Sequence, residues 1–378
     1  MVQFVVTNVV AADIWAGGKN EENNADMTLD PQCRAMLNAM EEKGSPFDAD
    51  DAVEARRIIA ATTKPLPDPD PRFVDIQDGN FPGQEKSFGY RYYRPIDVSQ
   101  SAAPCLIYYH GGGMVFGTLD SHDPICRATA VEAGCVVISI DYRLAPENKF
   151  PAAVMDAWTA FLEVIDRAKS FGVDPQRIAV GGDSAGGNLA AVVSLMARDM
   201  AGPQPCFQWL IYPNTDMAHP NSAPAEGTIE QFAEGYFLTR NGLIWLQNLY
   251  LNSDEERLDW RASPIKASKL IGVAPALIQT AGFDPLKDEG VAYAARLQEA
   301  GVTTELVDYP GMIHGFIRAI GLIDVAQKAI NDGVTALKCA FAVSAMSENS
   351  KPQSKPNTVM ENRASEADDG QQCHYSKD

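Results

Sequence analysis

Short apolar runs rich in Val, Ile and Tyr recur along the chain between about residues 73 and 342. Six of them read CLIYYHGGG, VVISIDYRL, RIAVGGDS, FQWLIYPN, ALIQTAGFD and TELVDYPG. Such nearly continuous hydrophobic runs are typical of strands that are buried on both faces of a parallel sheet. The two segments before them, FVDIQD and KSFGYRYYRP, alternate between apolar and polar residues and predict an antiparallel pair of strands.

Between most of these runs, apolar residues recur at spacings of three and four, which predicts amphipathic helices. The predicted helices are AAVMDAWTAFLEVIDRAKSFG, GNLAAVVSLMARDM, EGVAYAARLQEAG and IDVAQKAINDGVTALKCAF. Strands that alternate with helices indicate the α/β class with a doubly wound sheet. Functional residues of such sheets gather at the carboxyl ends of the strands.

Two segments depart from this alternation and predict a cap over the strand ends. Residues 1–62 contain two predicted helices, DPQCRAMLNAMEEKG, capped by Asp30 and ended by Gly44, and DADDAVEARRIIAATT. A second cap piece is expected around residues 215–262, because the stretch that follows FQWLIYPN is too long for a simple connection. It includes the aromatic segment GYFLTRNGLIWLQNLYL.

The end of the chain differs in composition from the rest. Residues 345–378 are polar and show neither a helical nor a strand period, which predicts a disordered tail. The proline-rich PLPDPDPR links the N-terminal helices to the strands. We therefore expect one catalytic domain over residues 63–344, preceded by a cap segment and followed by the tail.

Composition and charge exclude several functional classes. Hydrophobic residues make up 46% of the 378 residues and charged residues 21%, as in an ordinary globular protein. The formal net charge is -19, from 31 basic and 50 acidic residues. An acidic surface repels phosphate backbones and anionic lipids, so a nucleic-acid partner is not expected.

No targeting or metal-binding signal stands out. No apolar run is long enough to cross a bilayer, and the apolar N-terminal stretch has no Lys or Arg before Lys19. We expect no secretory signal, no stable membrane insertion and a cytoplasmic location. The 7 cysteines are scattered without Cys-x-x-Cys spacing, which argues against a disulfide framework and a zinc site.

A candidate nucleophile lies between a predicted strand and a predicted helix. Gly182-Asp183-Ser184-Ala185-Gly186 matches the Gly-x-Ser-x-Gly nucleophile elbow, a turn so tight that its serine adopts a strained backbone conformation. The glycines on either side leave room that a side chain would fill. A glycine-rich turn that binds phosphate is the alternative interpretation, which the negative charge of Asp183 disfavours.

The run His110-Gly111-Gly112-Gly113 ends another predicted strand. Consecutive glycines expose backbone N–H groups, which an oxyanion hole needs where negative charge develops on a carbonyl oxygen. We expect Gly111 and Gly112 to donate, together with the N–H of Ala185. A flexible glycine turn explains this run in isolation equally well. His110 is expected to be structural.

The serine needs an imidazole that accepts its proton, and the chain has 5 histidines. In enzymes with this elbow the chain order is serine, acid, histidine. Two histidines precede the serine, one lies in the tail and one in the inserted segment; these are His110, His122, His374 and His219. The remaining one, His314, follows the last predicted strand and is the candidate base.

The acid that orients this histidine should follow the strand ALIQTAGF. Asp284 is the first residue after it, where a carboxylate can accept the imidazole N–H and stabilise the imidazolium. Asp288 is the runner-up, in the first turn of the next predicted helix. Either carboxylate can instead be a helix cap.

Taken together, these motifs resemble the bacterial hormone-sensitive-lipase-like esterases, an α/β-hydrolase family, from about Arg72 to Phe341. The matching motifs are HGGG at 110–113, DYRLAPE at 141–147, GDSAG at 182–186, DPLKDEG at 284–290 and HGF at 314–316. Met114 departs from the aromatic or other large residue usual after HGGG.

The resemblance implies an α/β-hydrolase fold with a mostly parallel eight-stranded sheet flanked by helices and covered by a helical cap. It also implies a serine carboxylesterase that hydrolyses short-to-medium acyl esters of small molecules without a cofactor or metal, often as a homodimer through an edge strand. Asp141-Tyr142-Arg143 would brace the oxyanion loop. Aromatic and aliphatic residues of the inserted segment would line an apolar pocket or pack on the core; they are Phe237, Trp245, Tyr250 and Leu251.

Three other hydrolytic or transfer activities remain open, because an amidase, a lipase and an acyltransferase use the same residues and differ in pocket shape. A non-catalytic receptor is a further alternative. Gibberellin receptors resemble this family but lack the catalytic histidine, which is present here as His314.

Overall fold

The apolar runs of the sequence form one eight-stranded sheet. It is seen in a computed structural model that describes residues 28–63, 70–83, 85–200, 202–218, 221 and 226–349. The strands are β1 (Phe73–Phe81), β2 (Phe88–Pro95), β3 (Ala103–Tyr109), β4 (Val136–Asp141), β5 (Val173–Asp183), β6 (Gln208–Ile211), β7 (Ala276–Phe283) and β8 (Thr304–Ile313).

Across the sheet the strand order is β1-β2-β4-β3-β5-β6-β7-β8. β2 is antiparallel to both β1 and β4, and the neighbouring strands from β4 to β8 are parallel. The predicted antiparallel opening pair and the mostly parallel sheet are thus confirmed. The ends of β3, β5, β7 and β8 all point to one edge, where the candidate site residues lie.

The described residues form ten α-helices, of which the first two precede the strands in the chain. They are α1 (Pro31–Lys43), α2 (Ala52–Thr62), α3 (Leu119–Ala133), α4 (Ala152–Asp166), α5 (Ala168–Phe171), α6 (Ala185–Asp199), α7 (Thr228–Gln231), α8 (Arg240–Tyr250), α9 (Lys287–Glu299) and α10 (Asp324–Asn349). Both predicted N-terminal helices are confirmed. The side chain of Asp30 accepts the N–H of Gln32 at 2.7 Å, and Gly44 caps the end of α1.

Helix α3 is absent from the sequence prediction. It contains Pro124 and begins with polar residues, which weakens its apolar period. The helix starts at a reciprocal cap in which the Thr118 side chain accepts the N–H of Ser121, and the Ser121 hydroxyl accepts the N–H of Thr118. Pro124 is the sixth residue of this helix, where it has no N–H to complete an intrahelical hydrogen bond.

Both faces of the sheet are buried, as the apolar runs predict. In β3, Ile107 packs into the core on one face and its neighbours Leu106 and Tyr108 pack into the core on the other. All three side chains are fully buried. Burial of an aliphatic side chain of this size stabilises the fold by about 1.5–3 kcal/mol. The strand ends are therefore held by a rigid, close-packed sheet.

One boundary of the predicted tail is wrong. Helix α10 continues to Asn349, whereas the sequence prediction starts the tail at residue 345. The remaining tail and most of the proline-rich link lie outside the described residues, as do His219 and His374. No helix in the described ranges is both long enough and apolar enough to cross a membrane.

Candidate active site

The turn between β5 and α6 presents Ser184 at the edge of the sheet. Its backbone lies at φ 55° and ψ −116°, a conformation that costs free energy in any residue with a side chain. A Cβ on Gly182 would lie 2.2 Å from the carbonyl oxygen of Tyr109, and a Cβ on Gly186 only 1.8 Å from it. The predicted need for glycine on both sides of the serine is confirmed, because β3 passes directly behind the turn.

Ser184, His314 and Asp284 are brought together from the ends of three strands. Nε2 of His314 lies 2.9 Å from Oγ of Ser184, and Nδ1 of His314 lies 2.7 Å from Oδ2 of Asp284. A carboxylate can only accept here, so Nδ1–H donates to Asp284 and Nε2 is free to accept the serine proton. The ring of Tyr212 packs on the imidazole with 4.6 Å between centroids.

Asp284 is fully buried, and its two carboxylate oxygens have separate partners. Oδ1 accepts the backbone N–H of Leu286 at 2.8 Å, which leaves Oδ2 directed at His314. The runner-up, Asp288, instead accepts the N–H of Thr228 at 2.8 Å, at the start of α7. The geometry therefore pairs Asp284, and not Asp288, with the histidine.

The glycine loop after β3 differs from the sequence prediction in one respect. The N–H of Gly111 donates to Oδ1 of Asp183 at 2.9 Å, so it is not available to an oxyanion. The prediction of Gly111 as a donor is therefore wrong. Gly112 and Gly113, at φ +119° and +61°, line the same pocket as Ser184. Their N–H groups and that of Ala185 contact no acceptor in the described part of the chain.

Asp183 holds this loop in place, a role that the sequence analysis missed. Its carboxylate is buried and accepts the hydroxyl of Tyr108 at 2.9 Å in addition to the N–H of Gly111. Nε2 of His122, at the start of α3, lies 3.2 Å away. Burial alone would raise the pKa of Asp183, but the charge and hydrogen bond of His122, with a smaller contribution from Arg318, hold it well below its usual range. The elbow carboxylate is thus an ionised anchor for the oxyanion loop.

His110 is structural, as predicted. Its ring is fully buried and stacks on Tyr142 with 4.3 Å between centroids. Burial lowers the pKa of His110 to about 3, so the imidazole is neutral. The Tyr142 hydroxyl donates to the carbonyl of His110 at 2.7 Å, which confirms that Tyr142 braces the loop. Its neighbour Arg143 instead pairs with Asp156 at 2.8 Å.

A small pocket of about 50 Å³, partly open to solvent, adjoins Ser184. One wall consists of the sheet-edge residues described above. The opposite wall comes from the N-terminal and inserted segments and is apolar apart from Gln247; its apolar residues are Phe47, Phe237, Leu238, Leu243, Leu246 and Tyr250. Of the predicted pocket residues, Phe237 and Tyr250 line this space, whereas Trp245 and Leu251 pack against the core. The described residues contain no cluster of His, Cys, Asp or Glu suited to a metal ion.

Comparisons with known proteins agree with this architecture. The family model for the α/β-hydrolase fold matches residues 106–318. The chain is 42% identical to the carboxylic ester hydrolase LipN of Mycobacterium tuberculosis, over 82% of this chain and 83% of the relative. It is 36% identical to an ethyl acetate hydrolase of Pseudomonas putida, over 82% and 99% of the two chains.

Among solved structures, an ester hydrolase from the metagenome of Lake Arreo, complexed with a bipyridine phosphonate derivative, superposes with a TM-score of 0.77. That protein is 40% identical to this chain, and the match covers 83% of this chain and all of the other. The family model and the relatives therefore confirm the resemblance inferred from the motifs. The chain belongs to the α/β-hydrolase fold family, in its hormone-sensitive-lipase-like group.

Proposed function

We propose that this chain is a serine carboxylesterase that hydrolyses short-to-medium acyl esters through an acyl-enzyme intermediate. The observation that carries the proposal is the linear arrangement of Ser184, His314 and Asp284, with distances of 2.9 and 2.7 Å between successive side chains. Relatives and solved structures named as esterases support the same reaction class.

In the first half of the reaction, Oγ of Ser184 attacks the ester carbonyl carbon while Nε2 of His314 accepts its proton. The carboxylate of Asp284 keeps the Nδ1–H tautomer in place and stabilises the imidazolium that forms. His314 then donates the proton to the leaving alcohol, and the acyl group stays on Ser184. In the second half, His314 removes a proton from water, which attacks the acyl carbon; the bond to Oγ of Ser184 breaks, His314 returns the proton to Oγ, and the acid leaves.

The negative charge that develops on the carbonyl oxygen requires N–H donors that are already in position. Gly112, Gly113 and Ala185 are proposed for this role, with Gly113 in place of Gly111. Support comes from their free N–H groups and from their shared pocket with the serine. Removal of one such donor in other enzymes costs roughly 10²–10³ in kcat.

Pocket size and polarity support esters with short-to-medium acyl groups. The space next to Ser184 is about 50 Å³, and its cap-side wall is mostly apolar. We propose that α1, α2 and the inserted segment around residues 215–262 form the cap over a catalytic domain of residues 63–344. The contribution of Phe47, Phe237 and Leu246 to the pocket supports this division.

Assembly and location are part of the same proposal. β8 is the last strand of the sheet order, and we propose that its outer edge pairs with a second copy in a homodimer, beyond the point where the Gly311 carbonyl accepts the N–H of Asp30. A cytoplasmic location is supported by the free thiols of the described cysteines, which suit a reducing compartment. Light scattering of the purified chain would test the dimer, and cell fractionation would test the location.

Replacement of the nucleophile tests the function directly. Ser184→Ala should abolish hydrolysis of p-nitrophenyl butyrate, because no other group can form the acyl-enzyme. Ser170→Ala is the matched control, since this serine is exposed and its hydroxyl bonds only to a local carbonyl. Circular dichroism should show both variants folded. Full activity in Ser184→Ala would refute the proposal.

A further inference from the structure

Two phenylalanine rings separate the active-site pocket from a second, larger cavity. The outer cavity has a volume of about 380 Å³ and lies between α1 and the segment that leads into α8. Phe47 and Phe237 line both spaces. Their ring centroids are 5.2 Å apart in an edge-to-face arrangement. Phe47 and Phe237 therefore form part of the wall between the two cavities.

This wall lies on the histidine side of the nucleophile. The ring of Phe237 comes within 3.2 Å of the position that a Cβ on Gly315 would occupy, and Gly315 directly follows His314. In the proposed reaction His314 donates its proton to the leaving alcohol, so the alcohol part of the ester lies on this side. The outer cavity thus continues the space available to the alcohol and not to the acyl group.

The wall is built from side chains that can move. Both rings are only partly buried, and rotation about two side-chain torsions displaces a phenylalanine ring without any backbone shift. Phe237 has φ +73°, a conformation rare for an aromatic residue and typical of positions where strain serves a function. A ring that swings aside at Phe237 would join the two cavities.

We propose that the outer cavity is a binding subsite for the uncharged, apolar alcohol portion of the ester, reached between Phe47 and Phe237. The inference rests on the proposed esterase function and names the substrate class of that site. Leu37 and Met40 of α1 supply apolar surface in the cavity, and Ser45, Thr239 and Asn241 supply uncharged polar groups. The charged side chains that line it are the exposed carboxylates of Glu41 and Glu234, which disfavour an alcohol that carries a carboxylate.

Two opposite changes to this space test the proposal. Phe237→Gly removes the ring and also relieves the positive φ, because glycine adopts it without a steric cost. Met40→Trp instead fills the outer cavity. Initial rates are measured by pH-stat on acetates of increasing alcohol length, from ethyl to octyl acetate, and on p-nitrophenyl esters of increasing acyl length.

The readout is the ratio of kcat/KM for octyl acetate to that for ethyl acetate. Phe237→Gly should raise this ratio, and Met40→Trp should lower it, each on the order of tenfold, because a few methylene contacts are gained or lost. Among the p-nitrophenyl esters, the dependence of kcat/KM on acyl length should be the same in both variants as in the wild type. Leu322→Ala, at an exposed position that lines neither cavity, is the matched control. An acetate with a carboxylate at the far end of its alcohol should react more slowly than its methyl ester.

Equal octyl-to-ethyl ratios in the wild type and both variants would overturn the inference. The inference would also be overturned if the variants changed the dependence of the rate on acyl length and not on alcohol length. A preference for the carboxylate-bearing acetate would overturn it as well. Failure of the proposed function is distinguishable from these results, because the wild-type enzyme would then hydrolyse neither ladder. Thermal unfolding of each variant verifies that it is folded before the ratios are compared.

Discussion

The two walls of the active-site pocket are held in different ways. On the sheet side, Ser184, Asp284 and His314 sit at strand ends and are fixed by buried hydrogen bonds and by a backbone turn that glycine alone permits. On the cap side, Phe47 and Phe237 belong to short segments far apart in the chain and meet through ring contacts. Hydrogen bonds and backbone geometry position reacting atoms to a fraction of an ångström, whereas apolar contacts tolerate repacking. The first wall suits chemistry and the second suits substrate choice.

The largest expected loss of kcat distinguishes Asp284, which bonds to His314 on the sheet side of the pocket, from Asp288, which bonds to Thr228 on the cap side. Asp284→Asn should lower kcat for p-nitrophenyl butyrate by roughly 10³–10⁴, because an amide no longer stabilises the imidazolium or selects the productive tautomer. Asp288→Asn should leave kcat within about threefold, since its carboxylate accepts the N–H of Thr228 on the cap side. Steady-state kinetics measure both. Similar losses of kcat in the two variants would contradict the assignment of catalysis to the sheet-side wall.

A smaller effect is expected from the anchor of the oxyanion loop. Asp183→Ala removes the acceptor of the Tyr108 hydroxyl and the nearer acceptor of the Gly111 N–H, which keeps only Nε2 of His122 at 3.3 Å. We expect kcat to fall on the order of 10² while KM changes little, because misplaced donors weaken transition-state binding. Asp183→Asn keeps an acceptor oxygen and should recover a large part of this loss. A rise in KM at constant kcat would instead indicate that Asp183 contributes to substrate binding and not to transition-state stabilisation.

The smallest expected effect is on stability and concerns the salt bridge between the cap segment and the catalytic domain. Arg56 of α2 pairs with Glu147 at 2.7 Å and also donates to the carbonyl of Val115 at 2.8 Å. The hydrogen bond from Arg56 lowers the pKa of Glu147 to about 2. Since the folded pKa is depressed, the bridge stabilises the protein fully above the unfolded pKa, about 4.3, and its contribution declines as the pH falls toward 2.

Glu147→Gln should therefore lower the free energy of unfolding at pH 7 by at most about 1 kcal/mol, because the glutamate is half exposed and solvent screens the pair. The difference from the wild type should shrink below pH 4, and kcat should stay within about twofold. Urea unfolding at a series of pH values measures the first expectation. A difference that stays constant from pH 7 to pH 3 would contradict the assigned pKa shift.

The sequence was informative where structure is decided locally. The strand runs, the caps of α1 and the Gly-x-Ser-x-Gly turn follow from neighbouring residues, and the structure confirms them. His314 was identified by elimination among few histidines, and the structure places it beside Ser184. The structure also distinguishes Asp284 from Asp288, because only the carboxylate of Asp284 accepts the imidazole N–H.

The predictions that failed depend on contacts between distant segments. Three consecutive glycines look alike in sequence, and the contact of Gly111 with Asp183 alone shows that its N–H is already used. Asp183 and His122 come from different strand–helix units, so no local pattern links them. The sequence did not predict α3 because Pro124 and several polar residues near its start weaken the apolar period. Residues 345–349 are helical because adding residues to an already formed helix costs less free energy than starting a new one.

Covalent labelling tests the central claim most directly, because it asks whether the sheet-side wall activates one serine. The folded chain is treated with a fluorophosphonate, digested and analysed by mass spectrometry. We expect one phosphonate adduct, on Ser184, with no adduct in Ser184→Ala and a strongly slowed reaction in Asp284→Asn. An unlabelled wild-type chain, or an adduct on a different serine that persists in Ser184→Ala, would contradict the account.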